Sequence, residues 1–216
     1  MLSPRLTAAH SVERGYAFRD PPLTETGKQQ AQAVNAAPMP DLVIVSPMTR
    51  TLQTALLAFG PTLGEPSGDG PKVEIWPDLR ETYGAICNHG VSRADLASQF
   101  PQFDYAECHE EWDYPKYSAQ EATERAERVR GRLRELNAVY ENIYVITHRG
   151  FIAFLVQGER FDFCGRFYTF IQETSVCLIK KQSTGDIDSR PRTRSAVAVT
   201  QCLPTRDCRG ILDRPF

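Results

Sequence analysis

Two short motifs place polar side chains where a buried strand ends and a helix begins. Ser46-Pro-Met-Thr-Arg50 follows the apolar run 41–45, and Thr147-His148-Arg149-Gly150 follows the run 142–147. In open α/β sheets, ligands bind at the carboxyl ends of the strands, and the free N–H groups of a helix N-terminus favour phosphate. Arg50 stands in such a first helical turn, where its planar guanidinium can grip a phosphate. The two motifs are therefore candidate parts of a phosphate site.

Each of these residues also has an ordinary structural interpretation. An arginine at a helix start can be a surface residue that caps its own neighbourhood. A histidine at a strand end, such as His148, is more often a hydrogen-bonded structural residue than a functional one. Glu81, in the segment Pro77-Asp-Leu-Arg-Glu81, has by itself the character of a surface glutamate. Residue types alone leave both interpretations open.

The elements that must position these residues alternate between strand and helix. Short apolar runs predict strands at 41–45, 73–76, 142–147 and 175–179, and the run 175–179 is expected to be the last strand. Helices are expected from the N-cap Thr24 to about residue 35, through Arg50 to residue 57, over 121–139, and from residue 151. This alternation predicts an α/β fold with a largely parallel sheet.

Two stretches fall outside this alternation. Residues 84–118 are irregular, aromatic and polar, and we expect an inserted segment over one end of the sheet. From Lys180 the composition turns to Ser, Thr, Arg, Pro and Asp, which predicts a disordered tail. The chain is therefore expected to form one domain over residues 1–179, followed by a tail over residues 180–216.

Composition argues against several other classes of protein. The 216 residues carry a net charge of −2, so neither a nucleic-acid partner nor a membrane-surface partner is expected. The absence of a long apolar run and of a secretory signal, with six scattered cysteines, predicts a cytoplasmic protein with reduced thiols. Cys87, His89, Cys108 and His109 are suitable ligand types for zinc, but their spacing matches no zinc pattern. No metal and no cofactor are therefore expected.

Taken in order, four segments resemble the histidine phosphatase superfamily, also called the phosphoglycerate mutase-like fold, in its fungal-type branch. They are Asp20-Pro-Pro-Leu-Thr-Glu-Thr-Gly27, Ser46-Pro-Met-Thr-Arg50-Thr-Leu-Gln-Thr-Ala55, Leu79-Arg-Glu81 and Thr147-His148-Arg149-Gly150. The resemblance implies a three-layer sandwich whose mostly parallel central sheet is flanked by helices, and phosphoryl transfer through a phosphohistidine. It implies that Arg50 binds phosphate, that His148 hydrogen-bonds the transferring group, and that Glu81 protonates the leaving oxygen. Arg149, where many members have glycine, could add a second phosphate-binding cation or could crowd the site.

The beginning of the chain departs from the family pattern. Members normally open with a central strand that ends in Arg-His, where the histidine is the nucleophile. The spacing to the segment 18–24 puts Pro4 at the first binding arginine and Arg5 at the nucleophilic histidine. The same register puts Ser11 at a phosphate-contacting asparagine. Proline and arginine cannot replace these residues, and in-line attack is too demanding of position to favour His10. The resemblance therefore predicts a truncated or replaced first central strand and no identified nucleophile.

The resemblance implies an enzyme that hydrolyses a small phosphorylated metabolite, with secondary-metabolite (toxin) biosynthesis as one setting. The alternative is a catalytically inactive pseudoenzyme, or a truncated gene product, that retains an anion pocket at Arg50 and His148. Because the nucleophile is missing, the sequence taken literally predicts no turnover of an aryl phosphate and no phosphohistidine. A third interpretation is an interaction module that uses the aromatic segment around Trp112 and Tyr114.

Overall fold

The computed structural model describes residues 18–34, 36, 38–65, 70–113 and 117–156, together with the backbone of three later strands. The strands are Leu42–Val45 (β1), Lys72–Ile75 (β2), Asn142–Thr147 (β3), Arg166–Gln172 (β4), Ser175–Ile179 (β5) and Ser195–Thr200 (β6). The α-helices of these ranges are Glu25–Gln32 (α1), Thr49–Phe59 (α2), Arg93–Gln99 (α3), Ala119–Leu136 (α4) and Arg149–Leu155 (α5). Short 3₁₀ turns lie at Pro77–Leu79 and Ile86–Asn88.

The strands form one mixed sheet in the order β2-β1-β3-β6-β4-β5. The first four of these run parallel to one another, while β4 is antiparallel to both β6 and β5. In the register of β1 with β3, Val45 pairs with Ile146. Both strands therefore end at the same edge of the sheet, and the loops that follow them are neighbours.

Side chains alternate between the two faces of the sheet and meet a helical layer on each. Val43 and Val45 pack with Leu52 of α2 in one core. Leu42 and Ile44 pack in a second core, which contains Val129 of α4. Strands β1 and β3 are buried on both faces, as expected for central parallel strands. The structure thus confirms the three-layer α/β fold.

Local sequence features explain where the helices begin. Thr24 caps α1 by accepting a hydrogen bond from the Gly27 amide at 3.1 Å, as predicted. Ser118 caps α4, accepting from the Glu121 amide at 3.0 Å, and the apolar stripe of α4 lies in the second core. Helix α3, inside the segment predicted to be irregular, was not anticipated. Within the described ranges, no helix has the length and apolar character needed to cross a membrane.

Strand β6 lies inside the range predicted to be a disordered tail, and that prediction is wrong for residues 195–200. The expectation that 175–179 is the last strand is wrong for the same reason. Strand β6 pairs with β3 along one edge and with β4 along the other. It therefore fills the middle of the sheet, where the sequence predicted a missing strand, and satisfies the backbone groups of both neighbours. The boundary at residue 179 stays a prediction.

Part of the aromatic segment 84–118 is buried in the first core. Trp112 is 1% exposed and packs with Phe103, Tyr105 and Cys108. The interpretation of this segment as an interaction module is therefore wrong for Trp112, because a partner could not reach its ring. Tyr114 lies outside the described residues.

Candidate active site

The residues that directly follow β1 and β3 contact each other. The Ser46 amide continues the ladder by donating to the Ile146 carbonyl at 3.0 Å. This places the Ser46 hydroxyl 2.9 Å from Nε2 of His148. Both side chains are fully buried at the carboxyl edge of the sheet. The two motifs identified in the sequence therefore form one site.

Arg50 joins this pair from the first turn of α2. Its side chain is 1% exposed, and one terminal nitrogen lies 3.3 Å from Nδ1 of His148. The guanidinium also donates to the Cys87 carbonyl at 2.7 Å and to the Asn88 Oδ1 at 3.0 Å. Because a guanidinium has no acceptor, Nδ1 of His148 must accept, and its Nε2–H donates to Ser46. The ring is therefore neutral in this arrangement.

Hydrogen bonds hold the segment 83–88 in place beside the Arg50 guanidinium. The side-chain amide of Asn88 donates through Nδ2 to the Tyr83 carbonyl at 2.9 Å, and the Tyr117 hydroxyl donates to the backbone carbonyl of Asn88 at 2.8 Å. Burial raises the pKa of Tyr117 to about 12, so the phenol stays protonated and keeps donating at neutral pH. These contacts preorganise the acceptors that hold the guanidinium.

Glu81 reaches the same edge of the sheet from the turn that follows β2. Its carboxylate accepts from the Thr82 amide at 2.8 Å and from the Gly150 amide at 3.3 Å. A Cβ atom on Gly150 would lie 2.3 Å from Oε1 of Glu81, so only glycine permits this approach. Gly150, two positions after His148, therefore lets the Glu81 carboxylate approach the backbone at the start of α5.

Arg125 of α4 supports the backbone beneath Glu81. Its fully buried guanidinium donates to the carbonyls of Asp78, Arg80 and Glu81 at 2.8, 2.7 and 3.3 Å. It also donates to Glu121 at 2.9 Å and lies over the Phe151 ring. Burial, with the nearby charge of Arg80, lowers the pKa of Arg125 to about 10, which still leaves it charged at neutral pH. One cation thus holds three carbonyls of the loop 78–81.

We expect the substitution Arg125→Met to lower the free energy of unfolding by about 3–5 kcal/mol. The methionine leaves three carbonyls without this donor and removes one of the two arginine partners of Glu121, which keeps Arg80 at 2.7 Å. Breaking a buried ionic network has a cost of this size. Urea denaturation followed by circular dichroism measures the change.

The matched control is Arg128→Met, one turn further along the same helix. Arg128 pairs with Asp78 at 2.9 Å, but its side chain is 54% exposed. Exposed ion pairs contribute roughly 0–1 kcal/mol, so the free energy of unfolding of this variant should stay close to that of the unaltered chain. Equal losses in the two variants would contradict the supporting role of Arg125.

The structure brings together three of the predicted site residues: Arg50, Glu81 and His148. Arg149, the first residue of α5, is half-buried and lies beside them in sequence. Ser11, like Pro4, Arg5 and His10, lies outside the described residues, so its assignment stays a prediction. Among the described side chains, no three His, Cys, Asp or Glu residues are grouped so as to hold a metal ion.

The sequence interpretation gave no role to Asp20, Ser46, Asn88 or Arg125. Ser46 was part of a quoted motif, and its position directly after an apolar strand was the feature that pointed to the site. Asn88 and Arg125 contact partners 38 and 44 positions away. Spacing within one sequence does not show contacts over such separations.

Comparisons with known proteins identify the family of this chain. The family model of the histidine phosphatase superfamily, branch 1, matches residues 7–185, so the chain belongs to this superfamily. A protein of Schizosaccharomyces pombe described as a probable phosphatase is 33% identical over 115 residues, which are 50% of this chain and 52% of the relative. The chain therefore aligns with about half the length of this curated relative.

Two solved structures also match. One is an Escherichia coli protein described as a candidate alpha-ribazole-5′-phosphate phosphatase, with 27% identity and a TM-score of 0.43 over 67% of this chain and 71% of that one. The other is an alpha-ribazole phosphatase of Shigella flexneri, with 25% identity and a TM-score of 0.42 over 66% and 70% of the two chains. The family assignment itself rests on the family model and on the motif residues.

Proposed function

We propose that the chain binds the phosphoryl group of a small phosphomonoester at Arg50 and His148, and that Glu81 protonates the leaving oxygen. The observation that carries the proposal is the direct contact of the Arg50 guanidinium with the His148 ring at the carboxyl edge of β1 and β3. Both side chains can donate hydrogen bonds to phosphate oxygens. Their burial strengthens such bonds, because water does not compete for them.

Hydrolysis of a phosphomonoester is the reaction that we propose for this site. A nucleophile forms a bond to phosphorus while the bond from phosphorus to the leaving oxygen breaks. Arg50 and His148 stabilise the charge on the equatorial oxygens. Protonated Glu81 transfers its proton to the leaving oxygen. Its carboxylate then takes a proton from the water that attacks phosphorus, the bond from phosphorus to the nucleophile breaks, and orthophosphate is released. The hydrogen bond between Glu81 and the Gly150 amide supports this role, because it holds the acid at the start of α5.

The remaining assignments stay predictions of the family resemblance. Arg149 and Ser11 are proposed as further phosphate ligands. A small phosphorylated metabolite is the proposed substrate class, and secondary metabolism is one proposed setting. A cytoplasmic location is likewise proposed.

The second candidate function is anion binding without turnover. The observation that favours it is Arg5, which the sequence register places where the family has its nucleophilic histidine. An arginine stays protonated and cannot attack phosphorus. A pseudoenzyme of this kind would keep Arg50 and His148 as an anion pocket but would form no phosphohistidine.

The substitution Glu81→Gln tests the proposed enzyme. Glutamine keeps the size of the side chain but has no proton to give to an alkoxide. We expect hydrolysis of glycerol phosphate, which has a poor leaving group, to fall about 100-fold or more. Hydrolysis of p-nitrophenyl phosphate, whose leaving group needs little protonation, should fall less than about tenfold. Steady-state release of orthophosphate from the two substrates gives the comparison.

The control is Glu74→Gln on the edge strand β2, where the carboxylate pairs with Lys72 at 2.8 Å. It should leave both rates unchanged. A similar loss on both substrates in Glu81→Gln would exclude Glu81 as the acid. Absence of any turnover in the unaltered chain, with orthophosphate still bound, would select the second candidate function.

A further inference from the structure

Asp20 is a buried carboxylate to which the proposed chemistry gives no role. Its side chain is inaccessible to solvent, in the segment that precedes α1. Its backbone has a φ of 43°, a left-handed conformation that aspartate and asparagine tolerate better than other non-glycine residues. A buried charge in an unusual backbone conformation needs specific partners, and those partners identify what it does.

The partners of Asp20 lie at the start of α2. Its two oxygens accept from the Thr49 amide at 3.0 and 3.2 Å, and one of them accepts from the Thr49 hydroxyl at 2.8 Å. Met48 occupies the N-cap position of α2 and has no side-chain oxygen with which to cap the helix. Asp20 therefore caps this helix from 29 positions away in the sequence.

Asp20 also contacts the segment 88–91, whose first residue accepts a hydrogen bond from the Arg50 guanidinium. It accepts from the Val91 amide at 3.4 Å, three residues after Asn88, the acceptor for the guanidinium. The Arg50 guanidinium itself is 4.0 Å from Asp20. Asp20 thus connects the backbone from which Arg50 extends to the loop that orients its guanidinium.

We propose that Asp20 is a positioning residue for Arg50, which acts by hydrogen bonds to the start of α2 and not by its negative charge. This role rests on the proposed phosphate site, because it concerns how that site is held. A negative charge beside an incoming phosphate would itself oppose binding. Burial raises the pKa of Asp20, although Arg50 and the Thr49 hydrogen bonds act in the opposite direction. Burial therefore disfavours the charged form of Asp20, while its side-chain oxygens still accept the hydrogen bonds from Thr49.

Two substitutions separate hydrogen bonding from charge at this position. Asp20→Asn removes the charge but keeps an oxygen for the Thr49 amide and tolerates the left-handed backbone. Asp20→Gly adopts the same backbone without strain but removes every side-chain contact. Alanine is unsuitable at a φ of 43°, since it has the Cβ of aspartate without the polar side chain that makes this conformation tolerable. Isothermal titration of the full chain with orthophosphate then measures the dissociation constant of each variant.

We expect Asp20→Gly to weaken orthophosphate binding at least tenfold, while Asp20→Asn stays within about threefold of the unaltered chain or binds more tightly. Asp41→Asn is the charge-matched control, because Asp41 accepts from the amides of Glu141 and Asn142 at the opposite edge of the sheet. It should change nothing. Equal weakening in Asp20→Asn and Asp20→Gly, or no weakening in Asp20→Gly, would overturn the proposal.

Two further outcomes distinguish a failure of the positioning role from a failure of the phosphate site. If Asp20→Gly does not fold, Thr49→Val removes the hydroxyl arm of the same contact and should weaken binding about threefold. Unchanged binding in Thr49→Val would then overturn the positioning role. If the unaltered chain binds no orthophosphate, the phosphate site itself is wrong, and the positioning role with it.

Discussion

Replacing Val197 with proline is expected to lower the free energy of unfolding by about 3 kcal/mol or more. Val197 lies at the centre of β6, where it pairs with Tyr144 of β3 and with Tyr168 of β4. Because both edges of β6 are paired, the Val197 amide donates to a neighbouring strand whichever way it faces. Proline has no N–H and leaves a carbonyl of the neighbouring strand without its donor. Urea denaturation measures the loss.

The control is Val197→Thr, which keeps both the backbone amide and a β-branched side chain. It should lower the free energy of unfolding by less than Val197→Pro does. The comparison discriminates sharply between two descriptions of the chain. In a disordered tail, proline at residue 197 would have no effect on folding. A change of less than about 0.5 kcal/mol for Val197→Pro, the range of ordinary surface substitutions, would contradict the central position of β6.

Replacing Arg50 with methionine is expected to weaken orthophosphate binding about 100-fold, which corresponds to roughly 2.7 kcal/mol. The methionine removes a buried cation and its fork of donors, and hydrogen bonds to charged groups contribute about 1.5–3 kcal/mol each. Arg50→Lys keeps the charge without the planar fork, so its affinity should be intermediate. Isothermal titration with orthophosphate measures the three dissociation constants.

Arg130→Met is the matched control for this loss. The Arg130 side chain is 15% exposed and, like that of Arg50, donates to the backbone, here to the carbonyls of Phe154 and Leu155 at 2.7 and 2.9 Å. Its removal should lower stability without changing phosphate affinity, because those carbonyls lie at the far end of α5. Loss of binding in both variants, or in neither, would show that Arg50 is not a specific phosphate ligand.

Most of the sheet around the site could be predicted from the sequence. Strand β3 was predicted with its observed bounds, and β1 to within one residue, because a buried parallel strand is a short apolar run between polar residues. Strand β6 was missed because its six residues, Ser195–Thr200, alternate small and β-branched side chains inside a polar stretch. Its pairing with two strands that are distant in sequence, and not its own composition, decides its structure.

In the site too, residues that belong to a local motif could be predicted, whereas residues that act through partners distant in sequence could not. Arg50, His148 and Glu81 were predicted, since each belongs to a motif at the start of a helix or after a strand. Asp20 and Arg125 act through partners 29 and 44 positions away. Only the fold shows that the first caps α2 and the second supports the loop of Glu81.

The central claim is that Arg50 and His148 form one phosphate site, and the imidazole resonances of ¹⁵N-histidine-labelled chain test it most directly. During titration with orthophosphate, the ring nitrogens of His148 should shift saturably, because the anion replaces Arg50 and Ser46 as the partner of the ring. The exposed His109 should not shift, and the His148 response should disappear in Arg50→Met. A His148 ring that does not respond to orthophosphate, or that responds equally without Arg50, would contradict the account.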